Sequence, residues 1–259
     1  MRHRTALSGV LVAGLLLGFP ARGDSLEFER ISLEQGLSQS IIEGIVQDRA
    51  GFLWFVTEDG LNRYDGYHFH VHRTDPEDAN SLSYNDLKAI VEDRDGVLWI
   101  GTLEGGLNRF DPREGRFTRY RHDPEDPASL AANTVRALLE DRHGALWVGT
   151  QGGGLDRLDR ETGRFEHFRP DPVAPGALAD GDIRTLHEDR QGNLWVGTAG
   201  GGLHLFDRER DRFVRVAVDP EHPTALPHPW VQAILEDRNG ALWVGMLGGG
   251  LARLGPGSD

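Results

Sequence analysis

A tryptophan returns at positions 54, 99, 147, 195 and 243, each inside nearly the same string: QDRAGFLWFVTEDGLNRYD, EDRDGVLWIGTLEGGLNRFD, EDRHGALWVGTQGGGLDRLD, EDRQGNLWVGTAGGGLHLFD and EDRNGALWVGMLGGGLARLG. The spacings are 45, 48, 48 and 48 residues. A period this long and regular means one supersecondary unit copied side by side, each unable to bury its apolar faces without a neighbour.

The third copy reads most cleanly. Thr134 to Leu139 is nearly all apolar and is closed by Asp141-Arg142-His143-Gly144, a hairpin turn whose glycine accepts positive φ. Ala145 to Thr150 follows, then a Gly152-Gly153-Gly154 turn, Leu155 to Leu158, a turn over 159–163, and Phe165 to Arg169. Glycine recurs too often for helices, and the intervening segments are too short for a 3.6-residue period. Each copy is therefore expected to be a four-stranded antiparallel meander. Its first strand is apolar on both sides and its fourth alternates aromatic and charged residues, the radial gradient of a β-propeller blade. The expected fold is an all-β propeller of five blades, with each repeat tryptophan wedged between neighbours.

The ends of the chain suggest a way to close such a ring. Leu26 to Ser32 resembles the fourth-strand segments Phe117 to Arg121 and Phe165 to Arg169, whereas the fifth copy stops after its third strand at Leu254. Pairing residues 26 to 32 beside Leu251 to Leu254 would complete the fifth blade and remove an exposed edge.

Residues 1–23 read as a secretory signal peptide: Arg2 and Arg4, an uncharged apolar run from Ala6 to Phe19, then Ala21-Arg22-Gly23. The run is shorter than the roughly 20 residues a membrane span needs. The folded domain is expected to cover 24–259, in the periplasm or outside the cell, with no membrane span after the leader. Leaving out the leader's three arginines moves the formal charge from −13 to −16. So acidic a surface repels phosphate backbones, which argues against a nucleic-acid partner. With no cysteine there is neither a disulfide framework nor a thiolate metal site, so stability rests on packing.

The string VRALLEDRHGALWVGTQGGGLDRLDRETGRFEHFRPDP and its four relatives resemble the two-component regulator propeller repeat, and Phe28 to Ser38 resembles the start of the sensor regions that carry it. The resemblance covers essentially the whole mature chain. It implies an exported ligand-sensing propeller feeding the output of a signalling system, a histidine kinase or diguanylate cyclase; the chain is then either a module working with a separate transducer or the front part of a longer sensor. Such sensors usually have about seven blades and continue into a β-sandwich, a membrane helix and a catalytic domain, none of which follows Asp259.

Positions that vary between copies are better ligand candidates than positions that repeat, because packing accounts for the repetition. The start of the inner strand reads Ile41, Asp86, Thr134, Asp182 and Trp230, and two residues on it reads Glu43, Lys88, Arg136, Arg184 and Gln232. From these the candidate site at the channel mouth is Glu43, Asp86, Lys88, Arg136, Asp182, Arg184, Trp230 and Gln232. Lys88, Arg136 and Arg184 would form a basic arc suited to a small anion such as an acidic sugar, and Trp230 would stack on a ring. The turns after the tryptophan strand and the long Asp-Pro crossings are expected to share this face, stiffened by proline. The partner expected is a small molecule or oligosaccharide.

Several motifs carry no chemistry on this reading. His68, His70 and His72 lie at alternate strand positions, about 6.6–7 Å apart, wide for a chelate and suited to a polar outer edge. Asp93-Arg94-Asp95-Gly96 is a hairpin rather than a calcium loop, and the triple glycines precede no helix that would hold a phosphate. No metal, cofactor or catalytic residue is expected. The alternatives are a protein-binding adaptor propeller and, behind it, a five-bladed glycoside hydrolase using Glu43, Asp86 and Asp182.

Overall fold

The computed structural model describes residues 28–222 and 224–255, and the structural statements below refer to those residues. Residues 1–23, read as a leader, lie outside them. From Ile31 onward the chain forms one compact unit.

Five antiparallel sheets follow one another along it. The first holds β1 (Ile42–Gln47), β2 (Leu53–Thr57), β3 (Gly60–Tyr64) and β4 (Phe69–His72). The second holds β5 (Leu87–Glu92), β6 (Leu98–Thr102), β7 (Leu107–Asp111) and β8 (Arg116–Tyr120). The third holds β9 (Val135–Glu140), β10 (Leu146–Thr150), β11 (Leu155–Asp159) and β12 (Arg164–Phe168). The fourth holds β13 (Ile183–Glu188), β14 (Leu194–Thr198), β15 (Leu203–Asp207) and β16 (Arg212–Arg215). The fifth has three strands, β17 (Val231–Glu236), β18 (Leu242–Met246) and β19 (Gly250–Leu254). Strand order within each sheet is the order of the chain, a meander, as expected from the repeat.

The first strands stack on one another: β1 on β5, β5 on β9, β9 on β13 and β13 on β17. The buried apolar side chains accordingly form four clusters, each lying between consecutive sheets rather than within one. The cluster between the third and fourth sheets joins Trp147 and Leu155 to Ile183, Leu194, Val196 and Phe206. Sheets meet closely because the second strand carries glycine where the next sheet's first strand presses in. A Cβ on Gly101, Gly149 or Gly197 would lie 2.7, 2.6 or 2.6 Å from a side-chain carbon of Val135, Ile183 or Val231. The first sheet reverses this division of volume, with Val56 paired across from Gly44.

The expected closure is not found. Residues 28–32 form no strand, residues 26 and 27 lie outside the described region, and the fifth sheet ends at β19. A closed ring of five sheets needs five intersheet cores. Four are present, and no packing comparable to the others joins β17 to β1. Likeness of Leu26 to Ser32 to a fourth strand describes side-chain alternation, whereas pairing requires a partner edge brought within reach.

Candidate functional site

The EDRxG string, a plain hairpin in the sequence reading, is the joint of the whole array. The aspartate of each copy, Asp48, Asp93, Asp141, Asp189 or Asp237, accepts the indole N–H of its own repeat tryptophan at 2.7–3.0 Å. Its other oxygen accepts two backbone N–H groups of the turn, from His143 and Ala145 in the third copy. Burial works against the charge of Asp141. The Trp147 indole, the Ala145 amide and the Arg208 guanidinium outweigh it and hold the carboxyl below its usual range. The arginine that follows the aspartate reaches forward to the glutamate of the next sheet: Arg49 to Glu92, Arg94 to Glu140 and Arg142 to Glu188 at 2.9–3.1 Å. In the fourth sheet the backbone N–H of Arg190 reaches Glu236 at 2.9 Å.

A second recurrent link lies on the third strand. Asn62, Asn108, Asp156 and His204, all fully buried, occupy equivalent positions and accept a backbone N–H from the crossing that enters their sheet: Ser38, Ser83, Ala131 and Ala179. In the fifth copy the acceptor position is Ala252 and the donor position is Pro227, which has no N–H. Donor and acceptor are lost together, leaving neither unsatisfied.

Burial pushes His204 down from an ordinary 6.5 to about 4, helped by the charge of Arg215. His72 falls likewise to about 4, chiefly through burial and then through His70 and Arg63. A histidine whose folded pKa lies below its unfolded value stabilises fully above the unfolded pKa and loses that contribution as pH falls toward the folded one. Melting temperature is therefore expected to decline between pH 6.5 and about 4. His167 acts in the opposite sense, since its hydrogen bond to Asp156 holds it above its usual value. The diagnostic is consequently His204→Asn, which keeps an acceptor and is expected to flatten the acid decline in a pH series of thermal melts. An unchanged slope would remove His204 from this role.

His72 also corrects the reading of the three histidines as a polar edge. His68 and His70 are exposed, but His72 turns inward and stacks on Trp54 with ring centroids 5.9 Å apart.

The turns after the tryptophan strand do share an edge with the crossings, as expected. Leu103, Gln151, Ala199 and Leu247 donate backbone N–H groups to the carbonyls of Asp86, Thr134, Asp182 and Trp230. Of the candidate residues, the structure groups Glu43, Asp86 and Lys88: the Lys88 ammonium sits 2.9 Å from Glu43 and 2.8 Å from Asp86. Burial opposes the charge of Lys88, but those two carboxylates hold it above its usual pKa. Arg136 donates to Gln151 at 2.7 Å. Arg184 donates to Asp182 at 2.7 Å and lies 5.5 Å over the Trp230 ring. Gln232 is exposed.

The basic arc is thus not a row of free cations. Each member is held by a neighbour, because the same crowding that gathers them also supplies acceptors. Lys88 and Arg184 meet carboxylates, whereas Arg136 bonds only the neutral Gln151 amide and keeps its charge. Asp182 Oδ1, Arg184 Nε and Trp230 Nε1 are buried without a hydrogen-bond partner. They place one acceptor and two donors together where the fourth sheet meets the fifth.

Segments 81–104, 129–152, 177–200 and 225–248 match the family model described as two component regulator propeller. Over 83 residues the chain is 39% identical to Histidine kinase P4 of Formosa agariphila, a stretch covering 32% of this chain and 6% of that protein. Among solved structures it resembles the extracellular domain of BT3049 from B. thetaiotaomicron, assigned to a hybrid two component system. The TM-score is 0.60 and the identity 28%, over 88% of this chain and 35% of the other. The corresponding domain of BT4673 gives a TM-score of 0.68 and 26% identity, over 84% of this chain and 30% of the other. The chain therefore spans about a third of the length of those structures. Their likeness, the four matched segments and the meandering sheets agree: the chain is built from two-component regulator propeller repeats.

Proposed function

We propose that the chain is an exported sensor propeller whose ligand is a small polar molecule, with oligosaccharides and acidic sugars the leading class. Its output is carried by a histidine kinase or a diguanylate cyclase. The single observation supporting a ligand site is the cluster of Asp182 Oδ1, Arg184 Nε and Trp230 Nε1, buried with hydrogen-bonding capacity unspent. Buried polar atoms are rarely left so, since each unmade bond costs about 1–3 kcal/mol. A hydroxylated ring that displaces the Arg184 guanidinium from over the Trp230 ring gains a stacking face and reaches these groups with its hydroxyls, a combination suited to sugars. The extracellular placement of the two similar structures and the leader-like residues 1–23 support a site outside the cytoplasm.

The test is a thermal-shift screen of neutral and acidic oligosaccharides, followed by calorimetry on any hit. Trp230→Ala and Arg184→Ala are expected to weaken the hit at least about tenfold, the loss of one or two good contacts. Arg136→Ala is expected to leave it unchanged. Undiminished affinity in the first two variants would remove this site.

A further inference from the structure

The array ends in two bare faces, and they are complementary. The leading leucine of the third strand is buried at every internal junction, with Leu61, Leu107, Leu155 and Leu203 at 0–1% exposure, whereas Leu251 of the fifth sheet is 64% exposed. Leu235 on the same face is also 64% exposed, and with Ala233, Trp243, Gly245 and Leu251 it lines an apolar depression. Gly245 stands where Gly101, Gly149 and Gly197 each receive a β-branched side chain of the following sheet. Around Gly245 the nearest side-chain atom to an added Cβ is Ala233, at 3.7 Å.

The opposite end of the array carries the matching part. Val135, Ile183 and Val231, the residues that enter those intersheet positions, and their equivalent Leu87 in the second sheet are fully buried, and their counterpart in the first sheet is the partly exposed Ile42. Ile45, whose counterparts Ile90, Leu138, Leu186 and Ile234 all pack into a cluster, is 61% exposed.

From this we infer that the bare face of the fifth sheet takes the first sheet of a second copy of this chain, head to tail, repeating the internal junction. Within one chain the two faces are not packed together, as β17 has no substantial packing against β1. The polar part of the junction is muted. Arg238, successor to Arg49, Arg94, Arg142 and Arg190, makes no side-chain ion pair among the described residues. The position that would receive it is Gln47, where the other sheets have Glu92, Glu140, Glu188 and Glu236. An amide accepts a hydrogen bond without the charge, so this junction is weaker than the internal ones and its occupancy depends on concentration. A heterologous contact of this kind forms a ring or an open chain of copies, according to whether the rotation closes.

Sedimentation velocity of the full chain over a hundredfold concentration range is expected to show reversible self-association. Leu235→Asp and Ile45→Asp should each abolish self-association, while a mixture of the two variants should recover a one-to-one dimer through the undamaged faces. That complementation is specific to a head-to-tail contact. Gln47→Glu should tighten association about two- to fivefold, the usual worth of an exposed ion pair, and lose that gain when combined with Arg238→Ala. The native chain has no cysteine, so Ile42→Cys with Gly245→Cys reports the join directly. Disulfide between chains supports the inference; a disulfide confined to single chains would overturn it in favour of self-closure. A wild-type chain monomeric throughout would overturn it as well.

Discussion

Replacing Trp147 by alanine is expected to cost about 3–5 kcal/mol in denaturant unfolding, the usual range for a buried aromatic. The indole is fully buried between Phe168 of its own sheet and Phe206 of the next, with centroids 5.5 and 5.2 Å away. Its loss empties the junction between the third and fourth sheets. It also leaves Asp141 without the Trp147 N–H while Arg208 still leans on that carboxylate at 2.9 Å. In an array whose units touch only their neighbours, a failed central junction divides the cooperative unit. The variant is thus expected to unfold in two transitions. Trp243→Ala, at the bare end where the tryptophan is only partly buried, should cost clearly less. Equal losses at both positions would contradict the assignment of the fifth sheet as a free end.

The second large effect separates two glycines that are alike in sequence. Gly149→Val is expected to destabilise by about 3 kcal/mol, the upper part of the usual overpacking range. Even its Cβ would sit 2.6 Å from the Ile183 side chain and 3.1 Å from Ala137. Gly245→Val should change stability little at concentrations where chains are apart, since only Ala233 lies near. Thermal melts of the two variants, at matched low concentration, check the contrast. A Gly245→Val penalty as large as that of Gly149→Val would show the fifth face to be covered.

Strand order and meander topology were legible in the sequence because both follow from local signals: glycine-bounded apolar runs and a tryptophan at constant spacing. The aspartate six residues before each tryptophan was just as constant, from Asp48 and Trp54 to Asp237 and Trp243. Its role was hidden because a turn residue and a tryptophan anchor have the same sequence signature. The Arg142–Glu188 link and its copies join residues one repeat apart, so no window shorter than the repeat contains both. The third-strand acceptor left a subtler trace, namely joint change at two distant positions: Asn, Asn, Asp, His and Ala against Ser, Ser, Ala, Ala and Pro. The basic arc was read from residue type alone. The pairing of Lys88 with Glu43 and Asp86 and of Arg184 with Asp182, and the hydrogen bond of Arg136 to Gln151, depend on side-chain reach, which spacing does not encode. Closure failed for a similar reason, because alternation in residues 26 to 32 says what a strand would look like and not whether an edge awaits it.

Amide hydrogen exchange at low protein concentration bears most directly on the claim that stability resides in junctions between sheets. Strands β5, β9 and β13, covered on both faces, are expected to exchange slowest, and β1 and β17, covered on one, markedly faster. Uniform protection across all five first strands would contradict it, because only a fifth junction equal to the other four would make the ends as slow as the middle.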